Sequence, residues 1–405
     1  MLPLLAAASP VGAGEVTLVD GVPLVRNVAL PELGVERLRL QEMWRAGGED
    51  DETVFGLVLQ ALAGPDGRLY LLDGKLCEVA VFSPAGERLG ALSRRGEGPG
   101  EIRNPVDMVL LPENRLGLLQ HVPAVMTIID LDGTPAGTFR PRANIPGGDA
   151  FVQLFDAETV GDELVLAYRR RQGDAGRERT HVLARFAPNG TELVAYETRR
   201  TVLDVRDPRR DEERDFVRDE DHWALLEDGR LFVAPLRNRY RLNVYATDGR
   251  LDRVIERDYA PYRRTDDERT LQRRIMEARA AHLRGEVEIA ISDTDPDIVR
   301  VCRGPDGNVW IETSRGRRPR EPGVMMLWDV LDPEGHFRRQ VAVEAPHDAC
   351  DDRLLFAGPD RVVVITGYYA TRREFTTHGL IGSQGDGSEA SGPMTVVMYR
   401  VVPSG

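Results

Sequence analysis

The sequence predicts an all-β fold: a six-bladed β-propeller of four-stranded antiparallel blades, with one helical insertion between blades 4 and 5. Three observations predict it. A turn, a short β run, a second β run and a second turn recur in the same order along the chain. The turns are built on Asp-Gly and Asn-Gly steps between alternating apolar runs, where glycine supplies the positive φ that a tight turn requires. A segment ahead of the first repeat is patterned like an outer strand that has no blade of its own. One such unit cannot bury both faces of its sheet, so its neighbours must cover them, and ring closure removes exposed strand edges.

The elements follow in order. MLPLLAAASPVGAGEV holds a short apolar run and then small residues, with Val11 and Ala13 at the −3 and −1 positions of a signal-peptidase site but no basic residue before the run. Residues 1–14 read as a signal-peptide remnant or a disordered terminus, and 15–405 as a single propeller domain. RLQEMWRAGGEDDETVF before blade 1 parallels RLGALSRRGEGPGEIRNP after it. Residues 36–45 are therefore expected to be the outer strand that blade 6 lacks, pinned beside Thr395 to Val402.

Blade 1 is expected at Leu59–Gly64, Arg68–Asp73, Glu78–Pro84 and Arg88–Arg95, with turn glycines Gly67 and Gly86 spaced 19 apart. The stretch RRGEGPGEIRNP, Arg94 to Pro105, carries glycine at every second position. It is not G-x-G-x-x-G, no helix pattern follows it, and the Lys-Ser/Thr of a phosphate loop is missing, so it reads as a connector from rim to axis. Blades 2 to 5 pair LPENRLGLLQ with IIDLDGT, VGDELVLAY with RFAPNGT, LEDGRLFVAP with VYATDGR, and GPDGNVWIET with VLDPEGH. Between blades 4 and 5, residues 265–285 predict a helix, with Thr265 and Glu268 spaced as a capping box and Leu271, Ile275, Ala278 and His282 on one face. That helix either packs on the propeller face or covers the channel mouth as a lid. Blade 6 begins at AGPDRVVVIT and ends at TVVMYRVV, with Gly379 to Pro393 as a mobile loop.

With GRLYLLD, VAVFSPAG and GEGPGEIRNP in this order, the chain resembles the six-bladed β-propeller proteins related to NHL-repeat propellers. Blades of that family carry dG-x-[IL]-[YW]-V-x-D and [VI]-x-[VI]-[FY]-[DS]-x-x-G strands, often with a G-x-G-P-G-E-[FI]-x-x-P connector. The resemblance covers most of the chain and is strongest in blades 1 and 2. It implies an exported protein of bacterial type, periplasmic or extracellular, and it brings no catalytic residues with it.

A net charge of −13, from 66 acidic against 53 basic residues, excludes nucleic acid as a partner, because phosphate binding needs a surplus of Lys and Arg on one face. No window approaches the roughly 18 to 20 apolar residues of a membrane span. Cys77, Cys302 and Cys350 are too few for a disulfide scaffold and lack zinc-site spacing. Cys302 and Cys350 either bridge neighbouring blades or are buried free thiols. His121, His181, His336, His347 and His378 show no metal-ligand spacing, and no G-x-S-x-G elbow occurs.

Propellers bind ligands where the inner strands converge. Counting seven residues back from each turn gives Gln60, Asp107, His222 and Arg300; blade 6 offers Arg353, and blade 3 offers Gln153 or Phe155. Such a polar ring lines water or a ligand, or bridges blades by hydrogen bonds, since polar groups are costly to bury unpaired. The leading expectation is a monomeric, non-catalytic binding protein without a cofactor, holding a small molecule, glycan or protein at the channel or its loops. Arg300 and Arg353, with His222 nearby, predict a small anionic ligand, carboxylated or sulfated. The alternative is a calcium-dependent hydrolase of the lactonase or arylesterase kind, against which stand a single ring carboxylate, Asp107, and two cation-repelling arginines.

Overall fold

The structure, a computed structural model, describes residues 14–403 apart from 145–149, 174–177, 203–206, 208, 217–219, 282–286, 320 and 379–391. The described chain opens with a hairpin, β1 (Glu15–Val19) and β2 (Val22–Asn27), followed by a long strand, β3 (Val35–Gly47). Antiparallel meanders then succeed one another. The first is β4 (Val58–Ala63), β5 (Leu69–Asp73), β6 (Glu78–Phe82) and β7 (Arg88–Leu92); the second is β8 (Pro105–Leu111), β9 (Arg115–Gln120), β10 (Val125–Asp130) and β11 (Pro135–Phe139). The third is β12 (Phe151–Val160), β13 (Glu163–Gln172), β14 (Glu178–Phe186) and β15 (Glu192–Val202).

After a short strand, β16 (Arg209–Asp211), comes the meander β17 (Trp223–Leu225), β18 (Leu231–Val233), β19 (Arg241–Tyr245) and β20 (Leu251–Arg257). Helix α1 (Asp266–Ala280) and β21 (Glu288–Ala290), which pairs in parallel with β16, lead to β22 (Ile298–Arg303), β23 (Val309–Thr313), β24 (Val324–Leu331) and β25 (Phe337–Glu344). The last meander begins with β26 (Arg353–Phe356) and β27 (Arg361–Ile365), passes through helix α2 (Tyr368–His378), and ends with β28 (Thr395–Pro403). The first strand of every meander, namely β4, β8, β12, β17, β22 and β26, borders one central cavity, which is the arrangement of a β-propeller.

The burial pattern explains why the strands read as they do. Every residue of the middle strand β5, LYLLD, is buried, because its sheet is covered on both faces. The outer strand β7, RLGAL, is almost wholly exposed. Core clusters lie between adjacent sheets: Leu69, Leu71 and Phe82 of the first meander pack with Val363, Ile365 and Val396 of the last, and Phe232 and Leu242 of β18 and β19 pack with Val309 and Ile311 of β23.

The chain ends are woven into this arrangement. β3 covers the segment expected to complete the last meander and lies antiparallel to β28, from Gly47 opposite Thr395 to Leu38 opposite Pro403. Its first residues also pair in parallel with β25, from Val35 opposite Gln340 to Arg39 opposite Glu344, so two meanders merge into one eight-stranded sheet. No local pattern announces this second pairing; the β1–β2 hairpin does carry an Asp20-Gly21 turn between apolar runs, and its β2 adds in parallel to β20. Asn27 staples that hairpin to the next meander: its amide donates to Gly335 O at 2.9 Å and accepts from Phe337 N at 2.9 Å.

The glycine-rich connector closes around a carboxylate of its own. Glu101 Oε2 accepts from Gly98 N at 2.8 Å while Arg94 Nε donates to Oε1 at 2.6 Å. A Cβ at Gly96 would collide with this carboxylate, so a side chain there would have to push Glu101 out of the place where the loop's own N–H holds it.

Two expectations about helices need correction. The capping box of α1 is formed, with Glu268 N donating to Thr265 Oγ1 at 3.2 Å and Thr265 N to Glu268 Oε2 at 2.8 Å. The apolar face is only partly covered: Leu271 is 48% exposed, Ile275 and Ala278 are half-buried, Ala280 is the buried residue of the helix, and His282 lies outside the described residues. Polar contacts hold α1 instead, Arg273 Nη1 to Ile289 O at 3.0 Å and Arg318 Nε to Glu268 Oε1 at 3.1 Å. Second, α2 makes the helical insertion not the only one. YYATRREFTTH carries β-branched and aromatic residues with weak helix propensity, but Tyr368 is buried in the core and its hydroxyl accepts from Arg372 at 2.7 Å, one turn on. Residues 379–391 of the expected loop, and 1–13 with Val11 and Ala13, lie outside the described residues.

Candidate functional site

The central cavity has a volume of about 540 Å³. Gln60, Asp107, Arg300 and Arg353 are on its wall, as is Phe155 of the two candidates in the third meander. His222 and Gln153 are not. Strand geometry accounts for the difference. In β4, β8, β12 and β22 the ladder skips one residue, between Val58 and Gln60, Pro105 and Asp107, Leu154 and Asp156, and Ile298 and Arg300. Such a bulge re-aims the side chains that follow it. Asp156 thus stands where Gln60, Asp107 and Arg300 stand in their own strands. Counting back from the turn misses it because β12 and β13 are joined by a two-residue turn, Val160 facing Glu163, while the first hairpins of the other meanders have longer loops.

β17 shows no skip, and side chains alternate from face to face along a strand. Asp221 and Trp223 therefore reach the cavity, and His222 points to a smaller pocket beside His181 and Glu197. Its Nδ1 lies close to Glu220 O and its ring packs edge-on against Phe216 at 6.0 Å.

One side of the wall, from β8 and β12, carries Asp107, Asp156 and Glu158. A single backbone donor, Ala157 N, reaches both Asp107 Oδ2 at 3.0 Å and Asp156 Oδ1 at 2.9 Å, which brings the two carboxyls together. Gln60 Nε2 donates to Asp107 Oδ1 at 3.1 Å, and Leu225 N to Glu158 Oε2 at 3.2 Å. Among the described residues none of the three forms a salt bridge. Burial pushes Asp107 up to about 6 and Glu158 up to about 8. Burial, followed by the neighbouring Asp107 charge, holds Asp156 well above the usual carboxylate range.

The facing side is already neutralised, and this corrects the expectation of an anion site. Arg353 forms a forked pair with Asp221, at 2.9 and 2.7 Å, across the cavity from β26 to the start of β17. Asp221 sits at φ 61°, a left-handed conformation that Asp tolerates better than most residues. Burial works against its charge, but Arg353 and Arg300 outweigh that and hold it below the usual range. Arg300 Nε donates to the buried Glu312 at 3.0 Å, and Arg372 pairs with Glu220. Both guanidinium groups expected to attract an anion are thus engaged with carboxylates, and His222 faces away from them.

Aromatic rings complete the wall, among them Phe155, Trp223, Phe356 and Tyr368. Cys302 also lines it, as a free thiol that burial pushes up to about 12; Cys77 and Cys350 are free as well. His121 is fixed as the neutral ring: its Nδ1 lies 2.8 Å from Leu154 O, and its Nε2 2.8 Å from the amide nitrogen of Gln153, whose oxygen accepts from Arg169. Among the described residues no group of three or more His, Cys, Asp or Glu side chains is arranged to hold a metal ion, so the carboxyl donors do not converge as a calcium site requires.

No family model matches the chain. No curated protein matches it. Solved structures to which it is similar include regucalcin, a calcium-binding protein from Agrobacterium tumefaciens, at 13% identity over 90% of this chain and 96% of that one, with a TM-score of 0.44. Virginiamycin B lyase from Staphylococcus aureus matches at 8% identity over 89% and 99%, TM-score 0.43. The PQQ-bound aldose sugar dehydrogenase of Streptomyces coelicolor matches at 13% over 89% and 99%, TM-score 0.40. Likeness at this level says nothing about which residues act. No helix among the described residues is long and apolar enough to cross a membrane.

Proposed function

We propose that the protein is a six-bladed propeller of the NHL-related kind that binds a small organic ligand in its axial cavity. The observation that carries this is the cavity itself: about 540 Å³, bordered by the first strand of each meander and lined by aromatic rings with a few polar groups. Small-molecule sites typically fall at about 300 to 1,000 Å³ with such a lining. Binding is favoured over catalysis because the wall offers no activated nucleophile. Among the described residues it carries no Ser, Thr or Lys, the Cys302 thiol stays protonated, and His121 has both ring nitrogens engaged.

The test is to fill the cavity. Val106 lies on the wall and is partly buried. Val106→Trp is expected to keep the far-ultraviolet circular dichroism of the wild type and to lose the thermal shift given by compounds that bind it. Ligands that stabilise the variant as well as the wild type would place the site elsewhere and overturn the proposal. The second reading, a calcium-dependent hydrolase, is favoured by the hard oxygens of Asp107, Asp156 and Glu158 and disfavoured by their failure to converge. Calcium binding by calorimetry, with lactone turnover lost in Asp107→Ala, would establish it instead.

A further inference from the structure

The acids and bases on the cavity wall do not pair off, and the surplus among the described residues is acidic. The wall's four arginines each have a carboxylate partner: Arg353 with Asp221, Arg372 with Glu220, Arg300 with Glu312, and Arg303 with Glu227 at 3.4 Å. Asp107, Asp156 and Glu158, side by side on β8 and β12, have none among the described residues, and their hydrogen-bond donors are amide groups. What the wall lacks is a cation. The opening is far larger than a metal ion needs, and the donors do not close into a metal-ligand group. The rest of the lining suits an organic body: Phe155, Trp223 and Phe356 present rings, and aromatic faces attract cations as well as apolar groups.

Resting on the axial cavity as the ligand site, we infer that the ligand is an organic cation, a primary amine on an aromatic or aliphatic body. Its charged end meets Asp107, Asp156 and Glu158, and its body lies against Phe155, Trp223 and Phe356. The ammonium supplies the missing counter-charge, so binding draws protons off the three carboxyls. The other charged groups facing them are the Arg353–Asp221 and Arg372–Glu220 pairs, Arg300 and Arg303; Arg353 and Arg300 hold Asp221 below the usual carboxylate range. His121 is held in its neutral form by two hydrogen bonds. Affinity for an amine therefore rises with pH as the trio ionises.

Isothermal titration of the full chain with 2-phenylethylamine, 2-phenylethanol and 3-phenylpropanoate at pH 5.0 and 8.0 tests this. The amine is expected to bind at least about tenfold tighter than the alcohol at pH 8, by about 1.4 kcal/mol, to bind more weakly at pH 5, and to release protons detectable as a heat that depends on the buffer. The carboxylate is expected not to bind. Glu158→Gln and Asp156→Asn should each erase most of the amine preference at pH 8 while leaving the alcohol's affinity, and the melting temperature at pH 5, near wild type. An alcohol that binds as well as the amine, a preference for the carboxylate, or variants that keep the amine preference would overturn the inference. If Val106→Trp blocks whatever does bind, the cavity reading survives that failure. If none of the three compounds binds, the inference falls, and screening against Val106→Trp then decides the cavity reading separately. Calcium chloride that binds, and that displaces the amine, would assign the trio to a metal ion and overturn the inference too.

Discussion

At the scale of single residues the molecule is governed by buried carboxyls whose environments pull in opposite directions. Glu158 is raised from 4.5 to about 8 by burial. A raised acid holds its proton longer in the folded state than in the unfolded one, so its contribution to stability is complete below 4.5 and is lost as pH climbs to about 8. The melting temperature should accordingly fall between pH 5 and 8, and Glu158→Gln should flatten that fall; a variant with the slope of the wild type would refute the assignment. Asp221 is the opposite case, kept ionised by Arg353. Asp221→Asn leaves that guanidinium buried without its partner, which should cost about 3 kcal/mol in urea unfolding, the low end for buried pairs because Asp221 is a quarter exposed. Replacing both, Asp221→Asn with Arg353→Met, should recover much of the loss. Gln60, Asp107 and Arg300 could be placed on the wall because the turn residues Gly67, Asn114 and Gly307 set the count along their strands, and Arg353 because it stands at about the same level in the last meander. Asp156 and Asp221 were not, because a two-residue turn in one hairpin and a missing bulge in another shift the count by one or two positions, and a one-residue slip exchanges the faces of a strand. Asp221 and His222 are neighbours in sequence and look in opposite directions.

Among the elements, β3 is where sequence and structure diverge most usefully. Its amphipathic pattern announced an outer strand beside β28. Its second partner, β25, could not be read, since a parallel pairing across some 300 residues leaves no local signature and no turn. Trp44 of β3 stacks on Phe82 of the first meander at 5.3 Å, and Gly86, at φ 91°, has no space for a Cβ against that indole. Trp44→Ala should cost about 2 to 3 kcal/mol, less than a fully buried tryptophan because the ring is partly exposed, while Trp44→Phe should cost less than about 1.5 kcal/mol. Equal losses in the two variants, measured by denaturant unfolding, would show that the stacked ring matters less than the strand. The capping box of α1 was readable residue by residue, and its apolar face was misleading for a physical reason: the helix is tied down by Glu268 and Arg273, so Leu271 gains no cover.

For the molecule as a whole, the meanders were legible because each repeats its turn chemistry, and the arrangement of their first strands around one axis follows from the need to cover both faces of every sheet. How the ends join this arrangement decides its cooperativity. Removing residues 1–47 deletes β1, β2 and β3 and strips the outer cover from β20, β25 and β28 together. Exposed strand edges invite association, so the shortened chain should aggregate, or lose the single unfolding transition of the full chain; a soluble, cooperatively folding truncation would show that the clasp is dispensable. The same clasp has a consequence in time. β3 is made long before β28, so the stretch of β3 that pairs with β28 must wait until some 350 further residues have been made. Until β28 arrives, every intermediate carries an adhesive edge open to wrong partners.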